Sequence, residues 1–146
     1  MLINKRARHD YEILEKVEAG LALLGLEVKT LRLGRGALVD AHVVFRDGEA
    51  YLINMNLPGY TYGDLRNYEP TRSRKLLLHK KEIESLQAKT SNTGLSVVPL
   101  SVYLKRGSFK VELGVVRGKK QYQKKEDLKK RDLAREVRRE FKQRLR

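Results

Sequence analysis

The residues able to carry catalytic chemistry are few, and their spacing excludes more than it offers. His9, His42 and His79 are the only histidines, and no two stand at metal-ligand spacing. His42 lies in a strand-like run and reads as structural or exposed. There is no cysteine, which removes disulfide scaffolds, Cys-based zinc sites, iron–sulfur clusters and thiol nucleophiles. Gly34-Arg35-Gly36 lacks the spacing of a phosphate-cradling loop or a dinucleotide fingerprint, and reads as a helix end followed by a turn. No serine lies in a Gly-x-Ser-x-Gly elbow. Carboxylates mostly alternate with bases, as on a solvated face, and no acid/base pair stands out. The expectation is a protein that is not an enzyme and carries no metal or cofactor.

What remains is cationic. Asn4-Lys5-Arg6-Ala7-Arg8-His9 is one basic cluster. Arg72-Ser73-Arg74-Lys75 with Lys80-Lys81 is a second, and Gly118-Lys119-Lys120 with Lys124-Lys125 is a third. A single such run is usually a solvated face. Three runs near turns or termini point to a polyanion, because each Lys or Arg that reaches a phosphate releases condensed counterions. Tyrosines add a stacking surface. Tyr60, Tyr62 and Tyr68 fall in a loop-like stretch, whereas Tyr11, Tyr51 and Tyr103 fall in strand patterns and are expected to pack partly in the core. Tyr122 sits among lysines with few apolar neighbours, and stacking on a base is favoured there over packing.

The whole chain carries the same signal. Its 146 residues include 32 Lys+Arg and 18 Asp+Glu, for a formal net charge of +14. Residues 118–146 hold 13 basic and 5 acidic side chains, or +8; residues 1–117 hold 19 and 13, or +6. A hydrophobic fraction of 40% is enough to build a core, and the length suits one domain with a tail. No apolar run approaches the length of a membrane span, and the start lacks the apolar stretch of a signal peptide, so a cytoplasmic location is expected.

The elements that must position these residues read as short strands and helices. Tyr11 to Gly20 reads as a strand. Leu24, Val28 and Leu31 mark one face of a short helix that Gly34 ends. Leu38 to Phe45 and Glu49 to Asn54 flank Arg46-Asp47-Gly48, a strong hairpin signal. Residues 55–73 are irregular, and a loop of that length is usually functional or mobile. Leu76-Leu77-Leu78 leads into a helix over His79 to Lys89, with Ile83 and Leu86 on one face and an exit marked by Asn92 and Gly94. Leu95 to Leu104 and Phe109 to Val116 read as two more strands, turning at Arg106-Gly107-Ser108. The fold class is mainly β, a small antiparallel OB-like barrel with two or three short helices, closed so as to remove sheet edges. A sandwich stays open on these signals. Residues 1–117 form the barrel and residues 118–146 a basic tail. In the tail, Leu133, Val137, Phe141 and Leu145 make a stripe one residue wide, supported by acid-before-base pairs such as Glu126/Lys130. Such a helix is marginal in water, so the tail is expected to be disordered when free and helical against a polyanion.

Several blocks resemble the SsrA-binding protein (small protein B) family. They are Asn4 to Tyr11, Glu18-Ala19-Gly20, Glu27 to Arg32, Asp47 to Leu52, Pro70 to His79, Lys110 to Gly114 and Gly118-Lys119-Lys120, in the family's order along nearly the whole chain. The resemblance implies an OB-like barrel that binds the tRNA-like domain of transfer-messenger RNA and takes it to stalled bacterial ribosomes for trans-translation. It implies a tail that enters the small-subunit decoding centre and the empty mRNA channel as a helix. Carried over by motif, Asn4, Glu18 and Leu77 match the family's RNA-binding surface, with Lys5, Arg6, Arg8, His9, Arg72, Arg74, Lys75 and His79 in the same blocks. Gly118, Lys119, Lys120 and Tyr122 match the decoding-centre segment. Where relatives commonly have Asp-Lys-Arg, this chain has Gln123-Lys124-Lys125, so the carboxylate and the planar Arg fork are replaced. A monomer is expected of a tRNA-shape mimic, with no membrane partner. The alternative from another class is a structural ribosomal protein with a basic extension.

Overall fold

A computed structural model describes residues 1–60, 63, 65–91 and 94–118. Seven strands form one antiparallel sheet: β1 (Leu2–Ile3), β2 (Tyr11–Leu21), β3 (His42–Arg46), β4 (Glu49–Ile53), β5 (Arg74–Leu77), β6 (Leu95–Lys105) and β7 (Ser108–Gly118). Among the described residues three helices accompany them: α1 (Lys5–Asp10), α2 (Gly25–Arg32) and α3 (Lys80–Thr90). The strand order is β1-β6-β7-β2-β5-β4-β3.

The hairpins follow their turn residues. Asp47 and Gly48 both have positive φ (50° and 75°), as a type I′ turn requires, and they join β3 to β4. Arg106 (51°) and Gly107 (79°) do the same between β6 and β7, in a two-residue turn tighter than the three residues read from sequence. β5 and α1 are elements the apolar pattern did not announce. α1 has 6 residues, and it is set by Asn4, whose side-chain oxygen accepts the Ala7 N–H at 3.1 Å.

The expected closed barrel is not formed. The sheet curls until β3 comes close to β6, but no ladder joins them among the described residues. The edge of β6 that would close a barrel is occupied by β1, with Leu2 opposite Val102 and Ile3 opposite Ser101. Further along the same seam Pro99 has no N–H to offer, and the Asn4 backbone N–H donates to Leu100 O at 2.8 Å and its Nδ2 to Pro99 O at 2.9 Å.

Two bulges decide what each face of the sheet does. β2 shifts register between Ile13 and Glu15, and β6 between Pro99 and Ser101. On the inner face, Ala19, Leu21, Leu52, Leu76, Val97, Val102, Val111, Leu113 and Val115 build the main core with Ile83 and Leu86 of α3. Beyond the bulges, Val98, Leu100 and Val116 point the other way and are covered by Ala7 of α1, with Tyr11 and Ile13 at the margin. α1 therefore roofs one end of the outer face and leaves the other end open.

Candidate nucleic-acid interface

The open end of the outer face is built by register. Tyr103 of β6 pairs with Lys110 of β7, Lys110 with Gly20 of β2, and Gly20 with Leu77 of β5. Alternate residues of a strand share a face, so these four form one cross-strand row. The adjacent row is Ser101, Glu112 and Glu18. Val102, Val111, Ala19 and Leu76, one position along in each strand, are buried on the inner side.

Leu77 is 56% exposed, an unusual position for leucine in a paired strand. It rests on Gly20: a Cβ there would stand 3.0 Å from the Leu77 Cβ. Glycine thus lets the leucine side chain lie flat against the β2 backbone as an apolar platform. Around it lie Glu18, Glu49, Lys75, His79, Glu82 and Lys110, lining an open groove of about 490 Å³. His79 begins α3, where its backbone N–H donates to Glu82 Oε1 at 3.0 Å. Lys75 lies 3.6 Å from Glu49 at the groove's edge.

Glu18 faces Glu112 across the ladder, a like-charge pair that needs compensation. Lys16 approaches Glu112 at 3.9 Å. The Tyr103 hydroxyl donates to Glu18 Oε2, and Lys105 Nζ lies 3.1 Å from Oε1 and 3.2 Å from Oε2. These bonds hold the Glu18 carboxyl below the usual carboxylate range, so it is ionised at neutral pH. Partial burial, and then the Glu18 carboxylate, push the Tyr103 hydroxyl up to about 12. Tyr103 therefore serves the outer face, not the core expected from its strand pattern. Sequence reasoning missed Tyr103, Lys105 and Lys110, because only the pairing of β6, β7 and β2 brings them beside Glu18.

Two of the residues expected at the RNA surface are buried. Arg74 is fully buried and donates from every guanidinium N–H: to Glu27 Oε2 (2.6 Å), Met55 O (2.6 Å), Arg72 O (3.2 Å), Pro70 O (2.9 Å) and the Tyr68 hydroxyl (3.3 Å). Asn4 is 6% exposed and committed to the β6 seam. Arg72, half-exposed, donates through Nε to Glu27 Oε2 at 3.1 Å and through Nη2 to Oε1. Tyr68 donates to Leu57 O at 2.8 Å. Glu27 is itself fully buried and also accepts the Leu24 N–H at 2.8 Å. Burial pushes its carboxyl up, but the hydrogen bonds of Arg72, Leu24 and Arg74 outweigh that and hold it below the usual range. The irregular segment is thus laced to α2. α2 is also rotated from the expected face: Glu27, Thr30 and Leu31 are buried while Leu24 is exposed.

Lys5, Arg6, Arg8 and His9 lie on α1, exposed or half-exposed. Arg6 Nε is 3.3 Å from Asp10, and His9 Nδ1 is 2.9 Å from the same carboxylate. Arg6 and Asn4 line a second groove of about 470 Å³ with Asp10, Tyr11 and His42. α1 meets β2 at Tyr11, and Glu18 lies seven residues further on, about 20 Å along the strand. The structure therefore gathers Glu18, Lys75, Leu77 and His79 in one groove and sets the α1 cluster apart. Gly118, the last described residue, pairs with Tyr11 beside α1. Lys119, Lys120, Tyr122, Lys124 and Lys125, with Tyr62, lie outside the described residues. Among the described residues, no group of three His, Asp or Glu could hold a metal ion, and no helix is long and apolar enough to cross a membrane.

This geometry has close counterparts. The family model described as SmpB protein matches residues 1–143. The SsrA-binding protein of Salinispora tropica is 54% identical over 134 residues, 92% of this chain and 84% of that one. That of Enterococcus faecalis is 50% identical over 139 residues, covering 95% and 90%. Among solved structures, a chain described under "tmRNA-SmpB: a journey to the center of the bacterial ribosome" is similar with a TM-score of 0.70 and 51% identity, over 82% of this chain and 85% of that one.

Proposed function

The chain belongs to the SmpB protein family, and from that premise we propose that it is an RNA-binding protein, not an enzyme, that binds the tRNA-like domain of transfer-messenger RNA. It delivers that RNA to stalled bacterial ribosomes for trans-translation. Residues 1–117 act as an OB-like RNA-binding body, and residues 118–146 as a tail, disordered when free, that enters the decoding centre and the mRNA channel as a helix. Gly118, Lys119, Lys120, Tyr122, Lys124 and Lys125 engage the small subunit. The protein works as a monomer in the cytoplasm.

The observation that carries this reading is the groove in the uncovered half of the sheet. An exposed leucine lies on a glycine beside an ionised glutamate, with Lys75, Lys110 and His79 around it. Leu77 supplies an apolar surface for a base or ribose. Glu18 accepts from base amino groups or 2′-hydroxyls, which gives selectivity, while the lysines answer phosphate. Lys5, Arg6, Arg8 and His9 add a separate basic surface on α1. Asn4, Arg72 and Arg74 act on binding by holding the seam and the 55–73 segment. Leu77→Asp tests the groove: affinity for transfer-messenger RNA should fall by roughly tenfold or more, as for a central interface residue, with an unchanged melting curve. Unchanged affinity would remove the groove from the interface.

A further inference from the structure

Glu18 is anchored from two strands away. β2 and β6 both flank β7, so Tyr103 and Lys105 must reach over β7 to meet the carboxylate. A strand spacing is about 4.8 Å, and two of them are spanned only by long side chains. Lys110, on β7 between them, faces the same side and adds positive charge beside Glu18. Glu112 and Lys16 form their own pair. Glu18 thus has one hydroxyl donor and one ammonium fixing its two oxygens, and it remains exposed.

We propose that Tyr103, with Lys105, is a positioning residue for RNA recognition: it sets the orientation of the Glu18 carboxylate so that its remaining lone pairs face the groove beside Leu77. The inference rests on the reading of that groove as the RNA site. An exposed glutamate on a strand otherwise samples several rotamers, and ordering it on binding weakens the complex. A carboxylate already held by Tyr103 and Lys105 avoids that loss. It also keeps acceptor capacity, since an ionised carboxylate offers about four lone-pair sites. The groups facing Glu18 are Tyr103 and Lys105 from β6, Lys110 and Glu112 from β7, and Lys16 from its own strand, with Lys75, His79, Glu49 and Glu82 around the groove. Tyr103 brings a hydroxyl donor within hydrogen-bond reach of Glu18 and leaves the negative charge intact.

The test is a double-mutant cycle with the full chain and transfer-messenger RNA. Tyr103→Phe removes the hydroxyl and keeps the ring, and should weaken binding by roughly three- to tenfold, as expected for ordering one side chain on binding. In a Glu18→Gln background the same change should cost less than about twofold, since the two effects share one interaction. Nuclear magnetic resonance of the Glu18 carboxyl carbon supplies a second reading: its titration should move up toward the ordinary carboxylate range in the free Tyr103→Phe protein. Lys105→Met should repeat the pattern from an exposed position. Equal losses in both backgrounds, or no loss in either with a wild-type protein that binds normally, would overturn the positioning role. If wild-type protein fails to bind the RNA, or Leu77→Asp has no effect, the groove reading fails instead.

Discussion

Glu27 and Arg74 are charged residues that have left the surface. Together they bond to Arg72, Tyr68, Met55, Pro70 and the α2 N-terminus, and no buried side-chain nitrogen or oxygen among the described residues lacks a partner. Removing one member strands the rest, which is why breaking a buried pair costs far more than an exposed one. Glu27→Gln should lower stability by about 3 kcal/mol, read by chemical denaturation. The pH dependence follows from the lowered carboxyl of Glu27. Its unfolded counterpart titrates near 4.5, so the stabilisation is fully present above that pH and is lost as pH falls through the lower folded value. Wild-type protein should therefore lose melting temperature on acidification, and the Gln variant should start lower and show a shallower acid slope. An identical slope in both would show that Glu27 is not the group responsible.

At the scale of elements, Gly20 and the β2–β5 pair decide whether the groove has a floor. Gly20→Val would place side-chain atoms where Leu77 lies, because even a Cβ stands only 3.0 Å from it. Roughly tenfold weaker RNA binding is expected from displacing a central apolar residue, with the β-sheet signature in circular dichroism retained. Normal binding by Gly20→Val would show that the platform is dispensable. The element pattern also separates what the sequence displays from what it hides. The hairpin turns were legible because Asp47-Gly48 and Arg106-Gly107 carry their own backbone preferences. β5 was not legible, because its inward residues are Arg74 and Leu76, and an arginine on the core face breaks the apolar alternation. α2 misled for the same reason, burying Glu27 where an apolar stripe suggested Leu24 and Val28. The sheet stays open where β1 takes the edge of β6, and a two-residue strand has no periodicity to read. Of the groove, Glu18, Lys75, Leu77 and His79 were reachable through the family resemblance, while Tyr103, Lys105 and Lys110 depended on a register that only three paired strands define.

For the molecule as a whole, the formal charge of +14 divides into +6 on residues 1–117 and +8 on residues 118–146. The two parts meet at Gly118, beside α1 and about 20 Å along β2 from Glu18. On the proposed function, that separation leaves the groove free for the RNA. Truncation after Arg117 should leave transfer-messenger RNA binding and its salt dependence largely intact, and abolish peptide tagging. Equal loss of binding and tagging would mean the two parts are not separable. On the proposed function, the body's partner is one small RNA, and not ribosomal RNA. Purification of the full chain from cells in high salt, followed by sequencing of the bound RNA, tests it most directly. Transfer-messenger RNA should dominate the recovered reads and be depleted with Leu77→Asp; stoichiometric recovery of ribosomal RNA, indifferent to that substitution, would contradict it and mark a structural ribosomal protein.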